Sequence, residues 1–276
     1  MLIFVFLFIL GTLIGSFLNV VILRFNTGKP ILSLSFGGKV SRSECFSCGK
    51  MLHWWELVPL VSFLVLRGKC SACKAKISWQ YPMVEFLTGA VLAAIYFKVA
   101  GTGLDFAAPD GFVSEIFWPI IFYFLVWCAL IVIFFYDLKH KIIPDFFVFS
   151  FILFAAVFNV MSNVVQTGSF ASAPLLFSSL DFWAGPIFFA VFAGLWLVSH
   201  GRWLGFGDAK LVLGIGLLLG WRSGLSALVL AFWVGALLGV ALIAWSKQLT
   251  MKSEIPFAPF LILGTAIAFF GGVVVF

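Results

Sequence analysis

Apolar residues fill long blocks of this chain, and polar residues gather in the intervals between them. Eight blocks read as helices, at about residues 1–23, 82–99, 117–136, 146–163, 182–199, 208–221, 224–245 and 257–276. Most approach the ~20 residues that a helix needs to cross about 30 Å of hydrocarbon. Only one polar stretch is long, residues 24–81, between the first and second helices. The sixth block is short: from Asp208 to Trp221 it spans about 21 Å at ~1.5 Å per residue. Either its ends are recessed or the bilayer thins around it. A recessed start sets Asp208 slightly below the membrane surface, in a position that water reaches only through a cleft.

Composition agrees with this pattern. Of 276 residues, 63% are hydrophobic and 10% charged, against roughly 45–50% and about 25% in soluble domains. The expected fold class is an all-α polytopic membrane protein with about eight transmembrane helices. Three domains are expected: a first transmembrane helix at 1–23, a loop domain at 24–81 and a transmembrane domain at 82–276. Residues 1–23 lack a basic leading region and a clear small-residue cleavage site, and Arg24 follows them. They read as a retained helix with its N-terminus outside, not as a signal peptide.

The net charge of +6 would suggest nucleic acid in a soluble chain; in a membrane protein its placement reports orientation, and no nucleic-acid partner is expected. Arg24, Lys29, Lys39, Arg42, Lys50, Arg67, Lys69, Lys74 and Lys76 fall in the long loop. Lys139, Lys141, Arg202, Lys210, Lys247 and Lys252 share its side if there are eight helices, and only Lys98 and Arg222 fall opposite. The opposite loops carry Asp105, Asp110, Glu115 and Asp181. The bias puts the long loop in the cytoplasm and both termini outside. Trp79, Trp118, Trp203, Trp221 and Trp245 lie near the expected helix ends, where indole favours the interface.

Two aspartates stand out. Asp137 ends the third helix in "FFYDLKHKIIPDFF", and Asp208 opens the sixth in "WLGFGDAKLVLGIG". The helix count puts both at the same depth on the same face. Ionisable groups in or near spanning helices are rare and mark function by default. Two carboxyls brought close cannot both ionise easily, so one acts as base and the other as acid. That suits hydrolysis of a peptide bond: the base activates water and the acid protonates the carbonyl oxygen. Gly205 and Gly207 permit close approach of an extended peptide. Taken singly, each aspartate also has a plain reading, Asp208 as a helix N-cap and Asp137 as an interfacial charge paired with Lys139 or His140.

Cys45-x-x-Cys48 and Cys70-x-x-Cys73 form two knuckles in the long loop. Four thiolates at this spacing suit a tetrahedral Zn²⁺ site, structural because no ligand position stays open. A cytoplasmic loop is reducing, which disfavours disulfides. His53 is either a fifth candidate ligand or a solvated loop histidine. His140 either tunes the acid pair through its charge or sits among headgroups, and His200 has no partner visible in the sequence. Cys128, inside the third helix, reads as a packing residue.

"GFGDAK" resembles the GxGD element of intramembrane-type aspartyl proteases. Together with "DLKHKIIPD", "GSFLNVVILR", "SRSECFSCGK" and "LVPLVSFLVLRGKCSACKAKISWQYPMVE", it is similar to the bacterial type IV prepilin peptidases over nearly the whole chain. The resemblance implies that Asp137 and Asp208 are the catalytic pair. It implies prepilin or pseudopilin substrates, membrane helices cut after a glycine that follows a short basic leader. It further implies N-methylation of the new N-terminus with S-adenosylmethionine, and a multi-pass location in the bacterial inner membrane with the active site facing the cytoplasm. One departure bears on methyl transfer alone: Gly28 precedes Lys29-Pro30 where many relatives carry an acid. No glycine-rich nucleotide fingerprint marks a S-adenosylmethionine site, and Gly68 and Glu85 match the family without an evident chemical role.

Two other classes compete. An ion- or proton-coupled transporter would use the acids as a relay, but a relay wants carboxylates near mid-bilayer with continuation to the far face. A zinc-knuckle scaffold would explain the cysteines and leave the acids idle.

Overall fold

In the computed structural model, residues 2–27, 43–101, 117–167, 180–245 and 256–275 are described. Gly28, Lys29, Pro30, Lys39, Arg42, Asp105, Asp110, Glu115, Lys247 and Lys252, which carry part of the charge and motif expectations, lie outside them. The described residues are helical apart from loops and two isolated β-bridges. The helices are α1 (Leu2–Arg24), α2 (Val61–Val65), α3 (Gln80–Ala100), α4 (Trp118–His140), α5 (Asp145–Thr167), α6 (Leu180–Ser199), α7 (Phe206–Trp245) and α8 (Ala258–Gly271). A 3₁₀ turn covers Trp54–Leu57. By length and composition α1, α3, α4, α6 and α7 suffice to cross a membrane, and Asp145–Met161 of α5 and Ala258–Gly271 of α8 are shorter apolar stretches.

The sixth and seventh expected helices are the two arms of α7. They meet at Gly220, whose φ of 73° and ψ of −167° are non-helical, and not at residues 222–223. The arms fold back on each other. A Cβ on Gly224 would lie 3.7 Å from the Gly216 Cα, whereas eight residues of continuous helix separate such positions by about 12 Å. Counting the arms separately gives eight apolar helices of more than ten residues among the described residues. Trp79, Trp118 and Trp203 lie exposed at or beside helix ends.

Contacts divide the chain into two units, Met1–Phe97 and Lys98–Phe276. In the first, α1 and α3 touch through glycine. A Cβ on Gly11 would come 2.7 Å from the Gly89 Cα, and one on Gly89 2.8 Å from the Phe8 carbonyl oxygen. Small residues let membrane helices approach this closely, where packing rather than hydrophobic transfer holds them. The buried polar groups beside them bond to backbone: Thr12 and Thr88 donate to Ile9 and Val84 carbonyls at 2.7 Å, and Asn19 donates to the Tyr81 carbonyl at 3.1 Å. Glu85, buried in α3, accepts the Leu60 N–H at 2.9 Å. Leu60 has φ 59°, so this carboxylate holds a loop residue in a region that branched side chains rarely enter.

In the second unit the first arm of α7 is the centre. Leu211 and Ile215 are fully buried, as are Leu130 and Ile133 of α4 and Phe151 of α5. A Cβ on Gly216 would lie 2.5 Å from the Gly185 Cα of α6, and one on Gly214 2.3 Å from the Phe151 ring. Across the second arm, Gly264 of α8 rests on Ala227 and Ala231. Lys98, one of the two basic residues expected on the far side, donates to the Phe269 carbonyl at 2.7 Å near the end of α8. Its charge meets the carbonyl-rich end of that helix.

Gly216→Ala forces two backbones apart, and overpacking of this kind costs about 1–3 kcal/mol. Gly239 in the second arm has open space around it, so Gly239→Ala stays within about 1 kcal/mol of wild type, on the stabilising side. Thermal unfolding of the two variants in detergent checks the contrast.

Candidate active site and metal centre

The GFGD turn sets Asp208 at the mouth of α7. Gly205 precedes the helix, and Asp208 occupies its third position. The Asp208 Oδ2 accepts the Gly205 N–H at 3.1 Å, and the Asp208 N–H donates to the Gly205 carbonyl at 3.1 Å. The carboxylate therefore reaches back over the first turn, as the acid of a capping box does, and the N-cap position belongs to glycine. Gly207 allows a close pass, since its Cβ would meet Ile143 at 3.1 Å. Ile143 belongs to the connection between α4 and α5, directly beyond Asp137, so the missing side chain brings the two motifs together.

Asp137 lies in the last turn of α4 and is 4% exposed, and Asp208 is 6% exposed. The Asp137 carbonyl accepts the N–H of Lys141, whose φ of 53° ends the helix. Both acids line one cavity of about 480 Å³. Lys141, Arg202, Trp203 and Phe257 line it as well. Among the described residues Asp137 makes no ion pair with Lys139 or His140. Both are exposed, and the His140 ring packs on Tyr136 with centroids 4.5 Å apart.

One tie between the motifs was not anticipated from the sequence. Lys210, two residues beyond Asp208, pairs with Asp145 at 2.7 Å. Asp145 closes the "DLKHKIIPD" stretch, and the Lys210 ammonium also lies over the rings of Phe149 and Phe206. The pair joins the starts of α5 and α7.

The second cluster belongs to the other unit. The Sγ atoms of Cys45, Cys48, Cys70 and Cys73 lie within 4.8 Å of one another, with Cys45 and Cys73 at 3.9 Å. No disulfide joins them. A tetrahedral ion with metal–sulfur bonds of about 2.3 Å places its sulfurs ~3.8 Å apart, so the four thiols fit one ion with little movement. His53 stands outside this group and stacks on Trp55 with centroids 5.9 Å apart. Cys128 is half-buried in α4, and His200 sits in the turn after α6.

The knuckles repeat each other at a spacing of 25 residues. In the first, Cys45 N–H donates to the Lys50 carbonyl and Gly49 N–H to the Cys45 carbonyl; in the second, Cys70 pairs with Ala75 and Lys74 with Cys70 in the same sense. Bridges at Glu44–Met51 and Lys69–Lys76 flank them identically. The left-handed position is Gly49 in one and Lys74 in the other. The N–H groups of Cys73 and Ala72 hold the Cys70 thiol down to about 6, while, against the Lys50 backbone N–H, burial and the neighbouring thiols push Cys48 up to about 11. The thiols thus share their protons, and of these two only Cys70 favours the ligating thiolate form by itself.

A polar clasp joins the knuckles beside the sulfurs. Glu56 accepts from the Ser71 hydroxyl, from the His53 N–H at 2.9 Å and from the Lys50 ammonium at 2.9 Å. Lys50 also donates to Ser71 at 2.6 Å. Lys50 follows the first knuckle, Ser71 lies inside the second, and Glu56 is almost fully enclosed. The Ser71 hydroxyl, the His53 N–H and Lys50 hold the Glu56 carboxyl down to about 2.

A bundle of apolar helices that gathers two buried carboxyls on one cavity, with a four-thiol centre in a separate unit, defines an integral membrane protein equipped for acid–base chemistry. Residues 9–99 match the bacterial peptidase A24 N-terminal domain, and residues 122–240 match the Type IV leader peptidase family. The chain belongs to the Type IV leader peptidase family. It is similar to the prepilin leader peptidase/N-methyltransferase of Stutzerimonas stutzeri, at 30% identity over 96% of this chain and 89% of that protein. The protein of the same name from Pseudomonas aeruginosa is also 30% identical, with the same coverage of 96% and 89%. That from Myxococcus xanthus is 31% identical over 91% of this chain and 66% of its own length. No solved structure matches the chain.

Glu56→Gln loosens the knuckle pair and exposes residues 53–57 to added protease. Because the folded carboxyl titrates near 2 against a reference of 4.5, its contribution is complete above about pH 5 and fades as pH falls toward 2. The gap in protection between wild type and Glu56→Gln therefore narrows on acidification, as limited proteolysis with an acid-active protease measures.

Proposed function

We propose that this enzyme removes the leader of prepilin or pseudopilin substrates by aspartyl-type hydrolysis, with Asp137 and Asp208 as the catalytic pair. The observation that carries this reading is that two acids 71 positions apart in the chain line a single cavity. One carboxyl is ionised and takes a proton from water; the hydroxide attacks the scissile carbonyl carbon. The other is protonated and donates to the carbonyl oxygen, giving a neutral tetrahedral intermediate. Collapse with proton transfer to the leaving nitrogen releases the two chains. Two carboxyls in mutual range favour this single-proton state. Lys141, Arg202 and Lys210 line the same cavity, and the Lys210 ammonium is paired with Asp145.

The Lys and Arg distribution supports a cytoplasmic active site in the bacterial inner membrane. A substrate whose basic leader lies on that face and whose apolar helix lies in the bilayer presents its junction at the depth of the two acids. The names of the relatives support a second step, methyl transfer from S-adenosylmethionine to the new N-terminus. We assign that step to the loop domain 24–81, with hydrolysis in 82–276 and residues 1–23 as the first membrane helix. Cys45, Cys48, Cys70 and Cys73 are the ligands of a structural Zn²⁺, which supplies a crosslink between the knuckles. No side chain is assigned to S-adenosylmethionine. The relay alternative lacks comparable support, since the matched family and relatives are peptidases by name.

Purified enzyme incubated with a prepilin substrate tests the reading. Asp137→Asn and Asp208→Asn each lower cleavage by about 10³-fold or more; unchanged cleavage in either rejects the mechanism. Mass analysis of the mature N-terminus shows one added methyl group only when S-adenosylmethionine is present. Cys70→Ser together with Cys73→Ser abolishes metal content and methylation and leaves cleavage measurable. Loss of metal without loss of methylation separates the knuckles from the methyl-transfer step.

A further inference from the structure

At the apex of α7 a single rung of the helix is shared out to two other helices. In an unbroken helix the N–H of Trp221 would donate to the carbonyl of Leu217, four residues back. Here the Trp221 N–H donates to Asp181 Oδ1 of α6 at 2.8 Å. The Leu217 carbonyl accepts from Asn159 Nδ2 of α5 at 3.2 Å. Between them stands Gly220 at φ 73°. A Cβ there would lie 2.6 Å from Asp181 Oδ1, so the carboxylate occupies the space that the glycine leaves free. Donor, acceptor and turn residue are matched to one another.

The first arm, from Phe206 to this apex, carries Asp208 in its first turn. The same two helices that supply Asn159 and Asp181 also flank the arm. Gly214 packs on Phe151 of α5, and Gly216 on Gly185 of α6. At the other end Gly207 rests on Ile143. Leu211, Val212 and Ile215 bury the inner face of the arm, while the glycines let α5 and α6 come close on either side. That packing places the arm, and the polar contacts at its apex complete the setting of its rotation and depth.

We propose that Asn159 and Asp181 are positioning residues for hydrolysis: by gripping the broken rung at the apex they fix the rotation and depth of the first arm, and so the direction in which Asp208 faces Asp137. The inference rests on the acid-pair reading above. Neither residue touches the cavity, so the effect belongs to the turnover step and not to substrate affinity. A displacement of about 1 Å at a reacting group is enough for a ~10²-fold loss.

Cleavage kinetics on a prepilin substrate test it, with Asp208→Asn as the reference. Asp181→Ala lowers kcat by about 10- to 100-fold with KM within about threefold, the pattern of a lost transition-state interaction. Asp181→Asn keeps an Oδ1 acceptor for the Trp221 N–H and restores kcat to within about threefold of wild type. Should Asp181→Ala not accumulate as folded protein, Asn159→Ala carries the same expectation, because it leaves the Asp181–Trp221 bond in place. Ile95→Ala, a buried truncation in α3, lowers the melting temperature and keeps kcat, which separates positioning from stability. The proposal is overturned if folded Asp181→Ala or Asn159→Ala keeps wild-type kcat, if only KM changes, or if Asp181→Asn is as slow as the alanine variant. Cleavage by Asp208→Asn instead overturns the acid-pair reading, and the positioning role with it.

Discussion

A helix that ends among other helices leaves backbone N–H and C=O groups facing protein or lipid, where water does not make up the missing bonds. In this chain those groups are met by side chains reaching across from a neighbour or back over the same turn. Asp208 takes the Gly205 N–H, Asp181 takes the Trp221 N–H, and Asn159 and Lys98 take the carbonyls of Leu217 and Phe269. Several polar side chains of an otherwise greasy sequence thus serve places where helices start, stop or turn. The acid pair lies among such termini. Asp137 is in the last turn of one helix and Asp208 in the first turn of another, and irregular backbone beside each makes room for a cavity.

Glycine does the complementary work. At Gly216 and Gly185 backbones pass at distances that no Cβ would allow, Gly214 gives its place to the Phe151 ring, and Gly207 packs tightly on the Ile143 side chain. The result is a first arm of α7 seated deep among α5 and α6 with its acidic end beside the α4–α5 connection. The Lys210–Asp145 pair spans the same junction from the exposed side. Its worth as an ion pair is modest, below about 1 kcal/mol by the measure of exposed pairs. It also engages one of the cations that line the cavity.

Much of this was legible in the residues, for identifiable reasons. Helix existence follows from apolar length, and the shared depth of Asp137 and Asp208 follows from counting helices between them. Four cysteines in two C-x-x-C pairs announce a metal-sized cluster. What was not legible depends on meetings between distant segments. The turn between the two arms was expected at residues 222–223, where Arg222 and Ser223 interrupt the apolar run; it falls at Gly220 because Asp181, in another helix, caps the restart. Asp208 read naturally as an N-cap, since aspartate favours that position, but the glycine before the helix takes it. The knuckle repeat was there to be found by aligning "ECFSCGKM" with "KCSACKAK". The clasp of Lys50, Glu56 and Ser71 was not, because nothing in their spacing says that the three meet.

That clasp and the four thiols bridge the same two knuckles, and this makes them thermodynamic neighbours. Bringing the knuckles together carries a loop-closure entropy that grows only slowly with length, and it need be met only once. With the ionic bond in place, the second pair of sulfurs is presented to an ion held by the first at a high effective concentration. With the ion in place, Lys50 and Ser71 are delivered to Glu56 in the same way. An ion held by the four thiols and the charge pairing at Glu56 would thus reinforce each other, although Glu56 is not among the thiols that could hold it.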